Sequence, residues 1–301
     1  MTHTQDRSIN PTDWVARKPI VAYAGGKSNI AEFLTNRFPP HKLYVDLFCG
    51  GLSVTLAKPR ATSSAEWIND KYHWVANFFT VLRDKPGEFV EFFENGFIID
   101  AEVLYLLWAE RLKEPIPLED FPDVEKAVMF WMTQLQTFTG RNAAASASYK
   151  YQSGRYSGRH YRSLPFDRIF ATHERLDGVQ IFCRDFRQII EMASRYDDSF
   201  IFQDPPYYGV SGGRDYLERF SWEDHEELAT LNLRGNYKWM LTINVHDDIL
   251  GLYEGEEGVY IREYNLRYTM NKSHVGTELM ITNYDTEALL GPLFQFIQED
   301  D

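Results

Sequence analysis

Residues 44–51 read Tyr44-Val-Asp-Leu-Phe-Cys-Gly-Gly51, and residues 52–57 follow as Leu52-Ser-Val-Thr-Leu-Ala57. An apolar strand thus runs into a Gly-Gly turn and then a helix. Glycine lets the backbone turn sharply and approach a ligand closely, and the helix N-terminus offers free N–H groups. At the end of a parallel strand, this is where open α/β sheets bind nucleotides. A strand–turn–helix with no ligand has the same pattern, and the spacing is not GxGxxG. The segment alone leaves both readings open.

Outward from it, short apolar runs alternate with amphipathic stretches. Strands are expected at Leu43–Phe48, Ala65–Ile68, Gln180–Cys183, Ser199–Gln203, Lys238–Asn244 and Glu278–Tyr284. Several are apolar on both faces, as buried strands of a parallel or mixed sheet are. Helices are expected at Ile30–Arg37, Tyr72–Arg83, Phe186–Ser194 and Trp222–Leu233, the last opened by the capping-box pattern Ser221-Trp-Glu-Asp224. This alternation predicts an α/β fold, a sheet with helices on both faces.

The alternation breaks between about Lys85 and Thr172. Helical patterns at Ala101–Lys113 and Glu125–Thr139 precede a long polar loop. The expected organisation is a discontinuous domain, 19–84 and 173–290, with an insert at 85–172 and a polar lead-in at 1–18. Within 139–175, seven basic residues (Arg141, Lys150, Arg155, Arg159, Arg162, Arg168 and Arg175) face only Asp167 and Glu174. Tyr149, Tyr151, Tyr156 and Tyr161 are interleaved with them. Arg with Tyr and Gly suits phosphate contact and base stacking, and a solvated loop with scattered charge has the same composition.

Composition narrows the classes. With 301 residues, 44% apolar and 25% charged, the chain is neither disordered nor fibrous. Cys49 and Cys183 are the only cysteines, so there is no disulfide framework and a reducing cytoplasm is expected. No stretch approaches eighteen apolar residues, so no membrane span is expected. The net charge of −13 argues against a uniformly basic nucleic-acid coat, and it motivates an acidic surface that docks a protein partner. No HExxH or CxxC occurs, so no metal is expected.

Three further motifs carry chemistry. Asn69-Asp70 ends the next strand about twenty residues after the Gly turn, where an acid accepts bonds from ribose hydroxyls or caps the following helix. Tyr23-Ala-Gly-Gly-Lys-Ser28 lacks the GxxxxGK spacing, which disfavours a nucleotide triphosphatase. The most specific is Asp204-Pro-Pro-Tyr207, directly after Phe200-Ile-Phe-Gln203. By chance such a string occurs in about one chain in a thousand of this length. Two prolines fix an extended path without N–H donors. A carboxylate, free carbonyls and an aromatic face project from it, a set that accepts bonds from a planar amine and stacks on its ring.

At this point the chain resembles the Dam-like DNA adenine-N6 methyltransferases. The segment at 23–28 resembles the family's Gly-Gly-Lys motif, Val45-Asp-Leu-Phe-Cys-Gly-Gly51 its Phe-x-Gly cofactor loop, and Asn69-Asp70 its ribose acid. Phe182-Cys-Arg-Asp-Phe186 resembles the segment that contacts the cofactor adenine, and Asp204-Pro-Pro-Tyr207 the catalytic motif. Leu241-Thr-Ile-Asn244 and Glu278-Leu-Met-Ile-Thr-Asn-Tyr284 resemble the later strands. The matches keep the family's order from about residue 19 to 285.

The resemblance implies a Rossmann-like methyltransferase sheet with a mainly helical target-recognition insert. It implies S-adenosylmethionine as methyl donor. Asp46, Phe48, Gly50 and Ser53 would line its loop, Asp70 hold the ribose, Asp185 and Phe186 the adenine, and Asp204 would also border the cofactor. Tyr23 and Lys27 would close the pocket. The target adenine of double-stranded DNA would flip out and stack on Tyr207, its amine bound by Asp204 and the Pro205 carbonyl, with Pro206 stiffening the motif. Arg141, Lys150, Arg155, Arg159 and Arg162 would contact DNA in a cytoplasmic, nucleoid-associated setting of restriction–modification. Two other readings share the pocket: a same-fold methyltransferase acting on RNA, and a non-catalytic cofactor-binding regulatory or defence component.

Overall fold

A computed structural model describes residues 18–21, 25–94, 102–136, 165–209, 220–267 and 275–290. Its centre is a seven-stranded sheet in the order β3-β2-β1-β4-β5-β7-β6. The strands are β1 (Leu43–Asp46), β2 (Ala65–Asn69), β3 (Gln180–Phe182), β4 (Ser199–Gln203), β5 (Lys238–Asn244), β6 (Tyr260–Arg267) and β7 (Val275–Thr282). β1 to β5 are parallel, and β7 runs antiparallel between β5 and β6. The strand order reverses between β1 and β4. In open α/β sheets that switch point is where ligands bind, outside the carboxyl ends of the strands.

Helices cover both faces, and this is the expected Rossmann-like α/β arrangement. They are α1 (Ala31–Thr35), α2 (Ser53–Ala57), α3 (His73–Asp84), α4 (Pro86–Glu94), α5 (Glu102–Arg111), α6 (Val124–Gln136), α7 (Phe166–Leu176), α8 (Phe186–Ala193), α9 (Trp222–Arg234) and α10 (Asp247–Gly251). Alternate residues of each strand point to opposite faces. Val45, Ile201, Trp239 and Leu279 pack with Ile189, Ile190, Leu228 and Ile249 of α8, α9 and α10. Tyr44, Phe200, Phe202, Met240 and Met280 pack on the other face with Ala31, Leu34 and Val54.

The flanking core of that second face is aromatic. Trp74, Phe78 and Phe79 of α3 meet Phe89 and Phe93 of α4, Phe130 and Trp131 of α6, and Ile169 of α7. The described helices of the expected insert therefore share one core with Ile68 of β2 and Leu52 and Leu56 at α2. α7 runs across residue 172, where the insert was expected to end.

Local signals explain some of the boundaries. Ser221 and Asp224 close the expected capping box on α9, each bonding the other's backbone N–H. Asp185 caps α8 by accepting from the Arg187 N–H. The expected polar loop is corrected in part, because residues 166–176 form a helix whose Ile169, Thr172 and Leu176 are buried. β6 was not expected. Its Tyr260-Ile-Arg-Glu-Tyr-Asn-Leu-Arg267 is too polar for a buried strand, and it lies at the sheet edge. None of the described helices is long and apolar enough to cross a membrane.

Candidate active site

The switch point gathers three carboxylates. Asp46 ends β1, Asp70 follows β2, and Asp204 follows β4, the strand paired with β1. Asn69, almost wholly buried, knits the strand ends around them. Its Nδ2 donates to the carbonyls of Leu47 (3.0 Å) and Arg184 (3.1 Å), and its Oδ1 accepts from the Arg184 N–H at 3.0 Å. The Cys49 N–H donates to the Asn69 carbonyl at 2.9 Å. One amide side chain thus fixes the carboxyl ends of β1, β2 and β3 in register.

The glycine loop is shaped by the acid expected at the ribose. Gly50 has φ +44°, and its N–H donates to Asp70 Oδ2 at 3.0 Å while Asp70 Oδ1 accepts from the Tyr72 N–H at 2.8 Å. Asp70 therefore holds the loop to the start of α3. Leu52, at the N-cap of α2, is left-handed with φ +63°, an unfavourable backbone for a branched side chain. Ser53 Oγ accepts from the Lys27 N–H at 3.1 Å.

Asp46 is buried, and its Oδ2 accepts from Thr55 Oγ1 at 2.7 Å. Its Oδ1 is buried with no hydrogen-bond partner among the described residues. Burial pushes its carboxyl up to about 7; Thr55 opposes this, and the charges of Asp204 and Asp70 add to it. A buried acceptor without a donor costs free energy until a ligand supplies one. Beside it, Phe48, Phe186 and Phe220 form a ring cluster with centroids 5.3–6.0 Å apart. Asp185 caps α8 and pairs with Arg187 at 3.0 Å and Lys71 at 3.5 Å. Burial raises its carboxyl, but the bonds from Arg187 and both positive charges outweigh burial and hold it below its ordinary value.

Asp204 begins the Asp-Pro-Pro-Tyr motif and is largely enclosed, with 19% of its side chain exposed. Lys27 donates to its Oδ1 at 2.7 Å and Oδ2 at 2.9 Å, and Thr242 of β5 donates to Oδ1 at 3.0 Å. Burial lifts its carboxyl above the ordinary value, Lys27 opposes, and Glu278 adds. The Lys27 ammonium also donates to the Gly25 carbonyl at 3.1 Å and the Tyr207 hydroxyl at 2.9 Å. The Tyr207 hydroxyl in turn donates to Glu278 Oε1. Burial, then the charges of Asp204 and Glu278, drive Tyr207 well above the ordinary phenol value. Glu278 of β7 is fully buried, and its Oε2 accepts from Tyr264 of β6 at 2.5 Å. Asn244 anchors the chain after the motif: its Oδ1 accepts from the Tyr208 N–H at 3.1 Å and its Nδ2 donates to the Tyr208 carbonyl at 2.9 Å.

Of the expected site residues, Lys27, Asp204 and Tyr207 form one cluster, with Pro205 and Pro206 between the last two. Asp46, Gly50, Ser53 and Asp70 form a second around the Gly loop, and Phe48 and Phe186 share a ring cluster. Lys27, expected to close the cofactor pocket, sits on Asp204. Tyr23, Arg141, Lys150, Arg155, Arg159 and Arg162 lie outside the described residues. Arg175, counted with the basic stretch, is corrected. It is buried, bonds Glu66 at 2.5 and 3.1 Å, and so belongs to no exposed basic face.

Sequence reasoning missed Thr55, Phe220, Tyr264 and Glu278 as site residues, and saw Thr242 and Asn244 only as strand. For Glu278 a signal existed: an acid heading the apolar run Leu279-Met-Ile281 must be paired once the strand is buried.

The site thus sets an aspartate on a Pro-Pro-Tyr path beside a buried second acid and a Gly loop. The D12 class N6 adenine-specific DNA methyltransferase family matches residues 23–268. The chain therefore belongs to the D12 class N6 adenine-specific DNA methyltransferases, enzymes that methylate the N6 amine of adenine in DNA.

Proposed function

We propose that the methyl donor is S-adenosylmethionine and that the target adenine reacts after flipping out of the duplex. One observation carries this reading. Asp204 has four acceptor sites on its two oxygens, as any carboxylate does. Lys27 and Thr242 take two on Oδ1, and Lys27 takes one on Oδ2. One site on Oδ2 remains for the target amine, on a side chain that is still partly exposed.

The donor set fits the cofactor. The bare Asp46 Oδ1 suits an ammonium group, the Gly50 loop admits close approach, and the phenylalanine cluster suits a purine ring. Asp46, Phe48, Gly50, Ser53, Asp70, Asp185 and Phe186 would hold it. Bound there, it would supply an electrophilic methyl group for the amine nitrogen, its sulfur leaving with the bonding electron pair. Asp204 and the Pro205 carbonyl accept the two amine hydrogens and draw the nitrogen lone pair out of conjugation. Tyr207 packs on the base. Asp204 then receives the proton that the methylated nitrogen sheds. Positioning supplies most of the acceleration in such a displacement.

The segment 85–172 is the target-recognition insert in this reading. Arg141, Lys150, Arg155, Arg159 and Arg162 make its phosphate and base contacts. The enzyme works on cytoplasmic duplex DNA, within a restriction–modification setting. The test is nucleoside mass spectrometry on unmethylated duplex DNA incubated with S-adenosylmethionine. N6-methyladenine is expected with the wild type and not with Asp204→Ala. Methylation of RNA alone, or none despite cofactor binding, overturns the reading.

A further inference from the structure

Glu278 is a buried charge beside Lys27 and Tyr207 that the mechanism above leaves unused. It heads a segment of β7 that the sequence marks only as a strand, and its side chain is wholly inaccessible. Its two oxygens take the hydroxyls of Tyr207 and Tyr264, and Oε2 lies 3.7 Å from the Lys27 ammonium. Lys27 is thus an ammonium held between two carboxylates, on Asp204 at 2.7 Å and facing Glu278.

The charge count decides what this arrangement does. Methyl transfer moves a positive charge from the donor sulfur onto the amine nitrogen, as the N–C bond forms and the S–C bond breaks. A carboxylate already neutralised by Lys27 gives that charge little. In a cluster of Lys27 and Asp204 alone the net charge is zero, and with Glu278 it is −1. In a buried site of low dielectric, that one charge acts strongly on the developing cation.

We propose that Glu278 is a positioning residue for methyl transfer, balancing the Lys27 ammonium so that the charge of Asp204 acts on the target amine. The same carboxylate anchors the Tyr207 hydroxyl and so fixes the ring of the catalytic motif. Tyr264 holds the carboxylate from β6. The inference rests on the reading that Asp204 receives the target amine.

The experiment measures single-turnover methylation of duplex DNA at saturating S-adenosylmethionine, with binding of each measured separately. Glu278→Gln is expected to slow the chemical step about a hundredfold, as loss of one preorganised electrostatic group does. DNA affinity stays within about twofold, since the target amine is neutral until the transition state, and the cofactor, already cationic, is held at saturation so that a change in its affinity leaves the measured step unaffected. Glu278→Asp, which keeps the charge, is expected to retain more activity than Glu278→Gln. The double variant Lys27→Gln/Glu278→Gln restores the net charge of −1 on Asp204 and is expected to methylate faster than Glu278→Gln alone.

A merely structural Glu278 gives a double variant at or below the single one, and that result overturns the proposal. Should Glu278→Gln not fold, the double variant decides alone. Activity within about tenfold of the wild type supports charge balance, and an inactive double variant that still binds the cofactor overturns it. A wild type that makes no N6-methyladenine is a failure of the underlying reading, and it is visible before any variant is compared.

Discussion

Asp46 and Asp204 end neighbouring strands and meet opposite needs. Asp204 is bonded on both oxygens, while Asp46 is buried with one oxygen bare. With burial lifting Asp46 to about 7, most of it is protonated at pH 6, and only the anion pairs with a cationic amine. Cofactor affinity is expected to fall about tenfold per pH unit below 7, because each binding event then releases a proton. Titration calorimetry from pH 5.5 to 7.5 reads this slope, and Asp46→Asn is expected to weaken binding and flatten it. A wild type with a flat profile counts against the role. Asn244→Ala removes both anchors of Tyr208 and is expected to cost ~1–3 kcal/mol in urea unfolding, with a loss of kcat.

The same residues mark what the sequence revealed. Asp204-Pro-Pro-Tyr207 is rare enough to be read without a structure. The pairing of Lys27 with Asp204 is not legible, because it joins residues 177 positions apart. Glu278 heads an apolar strand whose partners stand on other strands.

At the scale of elements, α2 couples the glycine loop to the helical layer. Thr55 bonds Asp46 through its side chain, and its carbonyl accepts from Arg175 of α7 at 2.8 Å. Arg175 and Lys58 share Glu66, all three buried. Burial raises the Glu66 carboxyl, but the two cations outweigh it and hold it below its ordinary value. Glu66→Gln strands two buried cations and is expected to cost ~3–5 kcal/mol in urea unfolding. A loss below about 1 kcal/mol would show the triad idle.

Leu52 offers a second test. Truncation to Ala opens a cavity worth ~2–5 kcal/mol and keeps the left-handed strain. Leu52→Gly opens a similar cavity but relieves the strain. The Gly variant is expected to melt higher than the Ala variant, by ~1 kcal/mol of stability, the reverse of the order in a helix interior. Helices were read well where a cap or a clear apolar stripe exists, as at α9. β6 and α7 escaped notice because an edge strand is polar and α7 follows a long Arg- and Tyr-rich stretch.

Across the whole molecule, pH acts through buried groups on both faces. His225 of α9 is buried, and burial lowers it to about 4. Its folded value lies below the unfolded one, so the unfolded chain takes the proton first as pH falls. The stability it contributes is complete above about 6.5 and is lost toward pH 4, by ~3 kcal/mol over the window. Asp46 slopes the other way, since its raised value favours the folded state at low pH. The reading is therefore the difference between wild type and His225→Phe in urea unfolding. The wild type is expected to lose ground to the variant as pH falls from 7 to 5. An unchanged difference would show that His225 is protonated equally in both states.

The fold class and the order of the site motifs were legible as a whole because each strand end carries its own short signal. The shared aromatic core was not, because Phe78, Phe130 and Trp131 meet only after the helices pack.

The place of β7 bears on the birth of the enzyme. Among the described residues it is the last strand, yet it lies inside the sheet, and β6 pairs there with no other described strand. A chain still on the ribosome can pair β1 to β5, but β5 keeps a bare edge and β6 has no seat until β7 emerges. Glu278 arrives with that strand. The cluster around Lys27 and Asp204 is thus incomplete until β7 is in place, and a polypeptide cut short before that strand lacks the buried acid facing Lys27.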